Sequence, residues 1–260
     1  MVLVVTPSVL LPGTGDDAKE MVALIALAAG VLTFVEYNAD YPGLIEFRDA
    51  PPFNRLRFLM LFATVFVVSV VAAGPSLTSP LALVAREVGQ LIGTAMDFPY
   101  SPVRLAALMA GAPGTDAYAL ALSAAGIGYL IALLSLAFFL IALRFHGWPA
   151  RGAFNVWINL PTFDPTAGGD VVDRLDRDAR VNIVLGFLLP FLIPAVVRLG
   201  LGTYLPLSLD GPQSLVWVMA SWSFLPASLF MRGIAMGRVA QMIRTTRRLN
   251  GVAPVPGVSA

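Results

Sequence analysis

Five runs of apolar residues, near positions 21–37, 58–75, 117–143, 181–198 and 211–232, constrain the fold of this chain more than any other feature. Crossing a hydrocarbon core of roughly 30 Å takes about 20 helical residues. The last four runs reach that length with charge only at their ends. The first reaches it with Lys19 and Glu20 in one headgroup region and Glu36 in the other, the lysine stem snorkelling outward. Inside a bilayer each backbone polar group needs a partner within its own segment, which a helix supplies. The expected fold is all-α: a polytopic integral membrane protein with five transmembrane helices and amphipathic helices on its outer face.

The polar residues agree with this. Apolar residues make up 57% of the chain and charged residues 13%, against roughly 45–50% and 25% in soluble domains. No polar block is long enough to fold apart, so residues 1–250 are expected to form one helical membrane domain. Residues 251–260 are expected to be a disordered tail. Residues 1–13 are apolar without the basic start of a signal peptide, and are expected to form a short outer tail.

Sidedness follows from the arginines. If all five runs span, thirteen of the seventeen Lys and Arg residues fall on one side and four on the other. Cytoplasmic loops carry the excess positive charge, which puts the N-terminus outside and the C-terminus in the cytoplasm. Sixteen arginines against one lysine suggest a GC-rich bacterial genome, and hence a cell inner membrane.

The segment 77–96 is the main ambiguity. Ser79-Pro80 and Ser101-Pro102 each pair an N-cap hydroxyl with proline at the first helical position. After the first, Leu81, Val84, Val88, Leu91 and Ile92 recur at helical spacing, with Arg86 and Gln90 off that stripe. This suggests a helix on the membrane surface, with a re-entrant half-helix as the alternative. As a sixth span it would put Arg86 and Glu87 near the bilayer centre, at roughly 2.5–3.5 kcal/mol for such a residue, and would reverse the charge asymmetry of everything after it.

Two inner loops look ordered. In the first, Tyr37, Tyr41, Phe47 and Phe53 alternate with Glu36, Asp40, Glu46 and Asp49 among stiffening prolines. With Trp148 and Trp157 of the second loop, these aromatics are the candidate contacts to a partner. Asp170 with Arg174, Asp173 with Arg177, and Asp176 with Arg180 are spaced as ion pairs one turn apart. They are expected to carry the fourth helix into the cytoplasm. Arg238, Arg244, Arg247 and Arg248 prolong the fifth helix as candidate contacts to anionic lipid headgroups, worth about 1 kcal/mol per cation. Small residues four apart, Ala121 with Ala125, Ala124 with Gly128, and Gly233 with Gly237, mark where helices can approach closely.

Chemistry is sparse. There is no cysteine, and His146 is the lone histidine. Asp173, Asp176 and Asp178 would suit a cation-assisted phosphotransferase, but arginines one turn away compensate the first two. No catalytic, cofactor or metal site is expected. Partners are expected to be the lipid bilayer and other membrane proteins, with no nucleic acid. No charge lies deep within a span, where proton relays and coupled carriers generally need one. The expected function is a non-enzymatic structural, scaffolding or assembly subunit of a larger membrane complex. A small-solute facilitator or channel using Asn182, Tyr129 and the serines 214, 221, 223 and 228 is the alternative, and a lipid or isoprenoid phosphotransferase the third.

Overall fold

The computed structural model describes residues 1–49, 53–145, 155–164, 166, 168–201, 209 and 211–251. Among the described residues every regular element is helical: α1 (Val2–Leu10), α2 (Asp16–Asn38), α3 (Phe53–Ala72), α4 (Pro80–Ala95), α5 (Pro102–Ala107), α6 (Asp116–Phe145), α7 (Val156–Asn159), α8 (Val171–Val196) and α9 (Pro212–Leu249). Five of them, α2, α3, α6, α8 and α9, are long and apolar enough to cross a membrane. They match the five apolar runs and extend past them into polar sequence. At 38 residues, α9 is roughly 57 Å long, well beyond a hydrocarbon core of roughly 30 Å. Asn250 caps it, followed by Gly251 at φ +66°. Residues 252–260 of the expected tail lie outside the described residues.

α8 and α9 form an antiparallel hairpin. Its close approach depends on glycine: a Cβ on Gly233 would sit 2.7 Å from the Ala179 carbonyl oxygen, and one on Gly186 would sit 2.8 Å from the Pro226 carbonyl oxygen. Pro194 has no N–H to give the Pro190 carbonyl one turn back. The indole Nε1–H of Trp222 in α9 donates to that oxygen instead, at 3.0 Å. A proline that would leave a buried acceptor bare thus becomes a tie between helices. α8 ends in a π-helical turn, Val197–Leu201.

α6 is the central span, packed on α3, α4 and α9. Where α4 crosses it, a Cβ on Gly126 would lie 2.6 Å from the Gly93 amide nitrogen, and one on Gly93 would lie 2.7 Å from the Leu122 carbonyl oxygen. The buried face of α4 is therefore Ala82, Ala85, Gly89 and Gly93, while Leu81, Val84 and Leu91 are exposed. Most of the large apolar stripe evident in the sequence thus faces away from the protein, although Val88 packs against the core. With 16 residues α4 is too short for a sixth span. Its start is the expected cap, Ser79 Oγ accepting from Ala82 N–H at 3.3 Å. Arg86 ties it back to the preceding turn by donating to the Gly74 and Leu77 carbonyls.

Two segments depart from expectation. α5, read as a surface helix, is inserted against α6 and α8, with Val103, Ala106 and Ala107 fully buried. Small side chains on several faces let it wedge there. The N-terminal segment, read as a tail, is the helix α1 packed along α2 and α3. Its hydroxyls are satisfied locally, Thr6 by the Val2 carbonyl and Ser8 by the Val5 carbonyl, so a mostly apolar helix can lie against its neighbours.

α2 is held differently from the other spans. Only Ala26 of its 23 residues is buried, and its one extensive helical neighbour is α1. At its far end the Glu36 carboxylate accepts from the amides of Gly43, Leu44 and Ile45 at 3.0, 2.8 and 3.3 Å. The helix is thus tied at its far end to the loop that follows and rests on α1 along one face, where a Cβ on Gly30 would lie 2.7 Å from the Met1 side chain; most of its remaining surface is uncovered.

Candidate functional site

The best-organised polar structure lies at the arginine-rich end, where α2, α6 and α9 finish and α3 and α8 begin. The loop after α2 turns inward at Phe47, a bulky residue at φ +52°. Such a conformation costs on the order of 1–3 kcal/mol and persists where its surroundings over-determine it. Here the Phe47 amide donates to the Asn159 carbonyl at 2.6 Å, and its ring lies 4.4 Å from that of Phe53, which meets Phe139 at 5.7 Å. The Asn159 side-chain oxygen accepts the Asp49 amide at 3.0 Å. The two inner loops of the sequence are thereby joined through α7.

The inward turn presents Glu46 to α9. Arg232 grips its carboxylate with two parallel bonds, Nε to Oε2 at 2.6 Å and Nη2 to Oε1 at 2.7 Å. Thr162 donates to Oε1 at 2.9 Å, and the Glu46 carbonyl accepts from Asn54 at 2.7 Å. With side chains only 11% and 22% exposed, Glu46 and Arg232 form a half-buried, bidentate pair. Burial alone would push the Glu46 carboxyl up, but the hydrogen bonds and charge of Arg232 outweigh it and hold it below the ordinary 4.5. Arg57 of α3 flanks the pair. Its Nε donates to Ser228 Oγ at 2.9 Å, and its guanidinium lies 5.1 Å over the Phe53 ring.

A second tie closes the same end further out. Asp170 caps α8 through the Val172 amide at 2.6 Å and pairs with Arg247 at 2.6 Å; Asp176 pairs with Arg244. Desolvation raises the Asp170 carboxyl, while Arg247 and the Val172 amide lower it further, for a net value below the ordinary 3.8. Two of the three aspartates expected to bind arginines one turn along α8, Asp170 and Asp176, thus reach across to α9, while Arg177, the expected partner of Asp173, lies 3.8 Å from Asp178. Arg174 instead covers the Phe163 ring at 4.8 Å and donates to the Asp164 carbonyl.

The sequence candidates separate accordingly. Tyr37 and Tyr41 are exposed, at 47% and 82%. Phe47 and Phe53 are fully buried in the chain's own core, so these two rings are not available to a partner. All four aromatics alternate with acids in the sequence, a pattern that does not distinguish an inward turn from an outward one. Trp148, His146 and the side chain of Trp157 lie outside the described residues. Of the four tail arginines, Arg238 and Arg248 are exposed, whereas Arg244 and Arg247 are engaged by aspartates. Sequence inspection missed Glu46, Thr162 and Arg232 as a unit. The only hint was an acid set among aromatics and a lone arginine at the exit of the fifth span.

Three of the polar side chains that would suit a carrier are engaged within the protein. Asn182 donates to the Asp178 carbonyl at 2.7 Å, Ser223 to the Met219 carbonyl at 3.0 Å, and Ser228 accepts from Arg57. The space between α6, α8 and α9 near Tyr129, Pro190 and Phe230 is apolar, with a volume of about 100 Å³. Among the described residues no three His, Asp or Glu side chains are grouped to hold a metal ion.

Fold and site together define a multi-pass, all-helical membrane protein with an ordered polar cap at one end. No protein family, curated protein or solved structure matches the chain.

Proposed function

We propose that this protein is a non-enzymatic structural, scaffolding or assembly subunit of a larger membrane complex in a bacterial inner membrane, with its N-terminus outside and its C-terminus in the cytoplasm. The observation that carries this is α2, which rests on α1 along one face and leaves most of its remaining surface uncovered. Ala26, Gly30, Thr33 and Tyr37 share one face at helical spacing; Ala26 is buried and Gly30 meets Met1 at the start of α1, so that face turns toward α1. Leu24, Val31 and Val35 point the other way and are more than half exposed. Lipid tails solvate such a face as well as leucine does, so only shape-matched packing favours a second helix there. A helix held on one face alone is pre-positioned for a neighbour on the other. The ordered cap supports the same role, because it fixes the exit of α2 rather than enclosing a reacting group.

Photo-crosslinking in native membranes tests the proposal. A photoreactive residue at Leu24, Val31 or Val35 should give one discrete heteromeric adduct, and one at Val184 on α8 should not. Lipid adducts alone at all three α2 positions, with a lone monomer on gel filtration after gentle solubilisation, would overturn it. Orientation is tested separately: because the chain has no native cysteine, Thr14→Cys should label from outside with an impermeant maleimide and Asn250→Cys only after permeabilisation.

A further inference from the structure

The gap behind α2 is not uniform. At the arginine-rich end it widens into a cavity of about 450 Å³, within the range of about 300–1,000 Å³ of small-ligand sites. Its rim is polar, formed by Tyr37, Asn54, Arg55 and Arg57; its deeper wall is Thr33, Leu61 and Phe224. The lining therefore changes from cationic to apolar as it passes from the helix ends into the span.

Its charge is also unbalanced. The lining holds two arginines and one acid, Glu46, and both carboxylate oxygens of Glu46 are already engaged by Arg232. Among the described residues no carboxylate forms an ion pair with Arg55 or Arg57; Glu46 offsets Arg57 only through space, and it is shared with Arg232. Arg57 is half-buried, and its one hydrogen bond, from Nε, goes to a neutral hydroxyl. Guanidinium groups match phosphate oxygens bidentately, and cations at the cytoplasmic border attract anionic headgroups.

We propose that this cavity holds an anionic phospholipid, its phosphate against Arg55 and Arg57 and an acyl chain along Thr33, Leu61 and Phe224. The lipid supplies the missing negative charge and fills the space that α2 leaves by standing off α3. It lies on the bundle side of α2, opposite Leu24, Val31 and Val35, so the site does not depend on the protein having a partner.

Lipid retention tests this directly. Protein reconstituted with equal parts phosphatidylglycerol and phosphatidylcholine, then released into mild detergent and weighed intact, should keep phosphatidylglycerol over phosphatidylcholine by about tenfold, the order of one charge-assisted hydrogen bond. Arg55→Gln, which removes an exposed cation, should bring that ratio close to one. Thr33→Trp, which fills the cavity from α2 without touching a charge, should release the lipid while the protein still elutes as folded, and keeps the test valid if Arg55→Gln fails to fold. Arg248→Gln should leave retention unchanged. Undiminished enrichment in Arg55→Gln or Thr33→Trp would overturn the proposal, as would equal loss in Arg248→Gln. Displacement by inorganic phosphate alone would also overturn it, by showing a free-anion site in place of a lipid site.

Discussion

Where α4 crosses α6, contact is made by residues with almost no side chain: Gly89 and Gly93 on one helix, Gly126 on the other, so close that a methyl group would overlap backbone atoms. At the arginine-rich end the opposite holds. There Phe47, Phe53 and Phe139 fill the interior, and Glu46 and Arg232 reach across the gap between a loop and α9. These are the two ways in which a membrane protein can hold itself together. In the hydrocarbon, apolar surface gains nothing by leaving lipid for protein, so attraction comes from close approach, and small residues permit it. Nearer the headgroups water competes for every charge, and only a desolvated, bidentate pair holds well. One region is specified by shape and the other by bonding.

The largest effect should come from breaking the bonded region. Glu46→Ala leaves Arg232 and Arg57 facing each other without compensation and should cost about 3 kcal/mol, the low end for an orphaned buried charge, read as reduced resistance to unfolding by titrated SDS. Acid should mimic it. Glu46 and Asp170 both have lowered carboxyl values, so each stabilises fully above its unfolded value and loses that contribution as pH falls through the lower, folded one. The wild type should therefore weaken below about pH 4, with a shallower acid loss in Glu46→Ala. Persistent acid sensitivity of full size in that variant would place the titrating group elsewhere.

Next in size is the shape-specified region. Gly126→Ala should cost about 1–3 kcal/mol by overpacking, with no change in acid sensitivity. A neutral result would mean that α4 can shift outward freely. Trp222→Phe should cost about 1 kcal/mol by leaving the Pro190 carbonyl unpaired. In a Pro194→Ala background the restored amide can serve that carbonyl, so the Trp222→Phe penalty should largely disappear. Additive effects in that double-mutant cycle would show that the indole bond adds nothing. The smallest effect belongs to the outer tie. Arg244→Gln removes a partly exposed ion pair and should cost about 0.2–1 kcal/mol, less at high salt.

The spans were legible because bilayer thickness sets a length that no other feature of an apolar run has to match. The cap of α4 was legible too, since a serine before proline leaves few alternatives to an N-terminus. The face α4 buries was not. Periodicity weights Leu81, Val84 and Leu91, whereas in a membrane the small residues between them determine contact. Glu46 and Arg232 are 186 positions apart, and a one-sequence pattern carries no information about pairing at that separation. Asp170 and Asp176 were misleading for a related reason: spacing of four permits a bond within the helix, but Arg247 and Arg244 on the antiparallel neighbour compete for the same oxygens and win.

The uncovered surface of α2 has a consequence for how this chain tolerates change. Along α6 each exchange is judged by fit, and a saturation scan of the purified protein should reproduce the outline of its neighbours. Along the uncovered face of α2, at Leu24, Val31 and Val35, positions answer only to lipid, so the same scan should return little more than a solubility profile there: any apolar residue accepted, any charge refused. Repeated in the cell, the scan becomes a mould. Positions of α2 that resist exchange there, and not in the purified protein, carry the imprint of whatever second molecule lies against them.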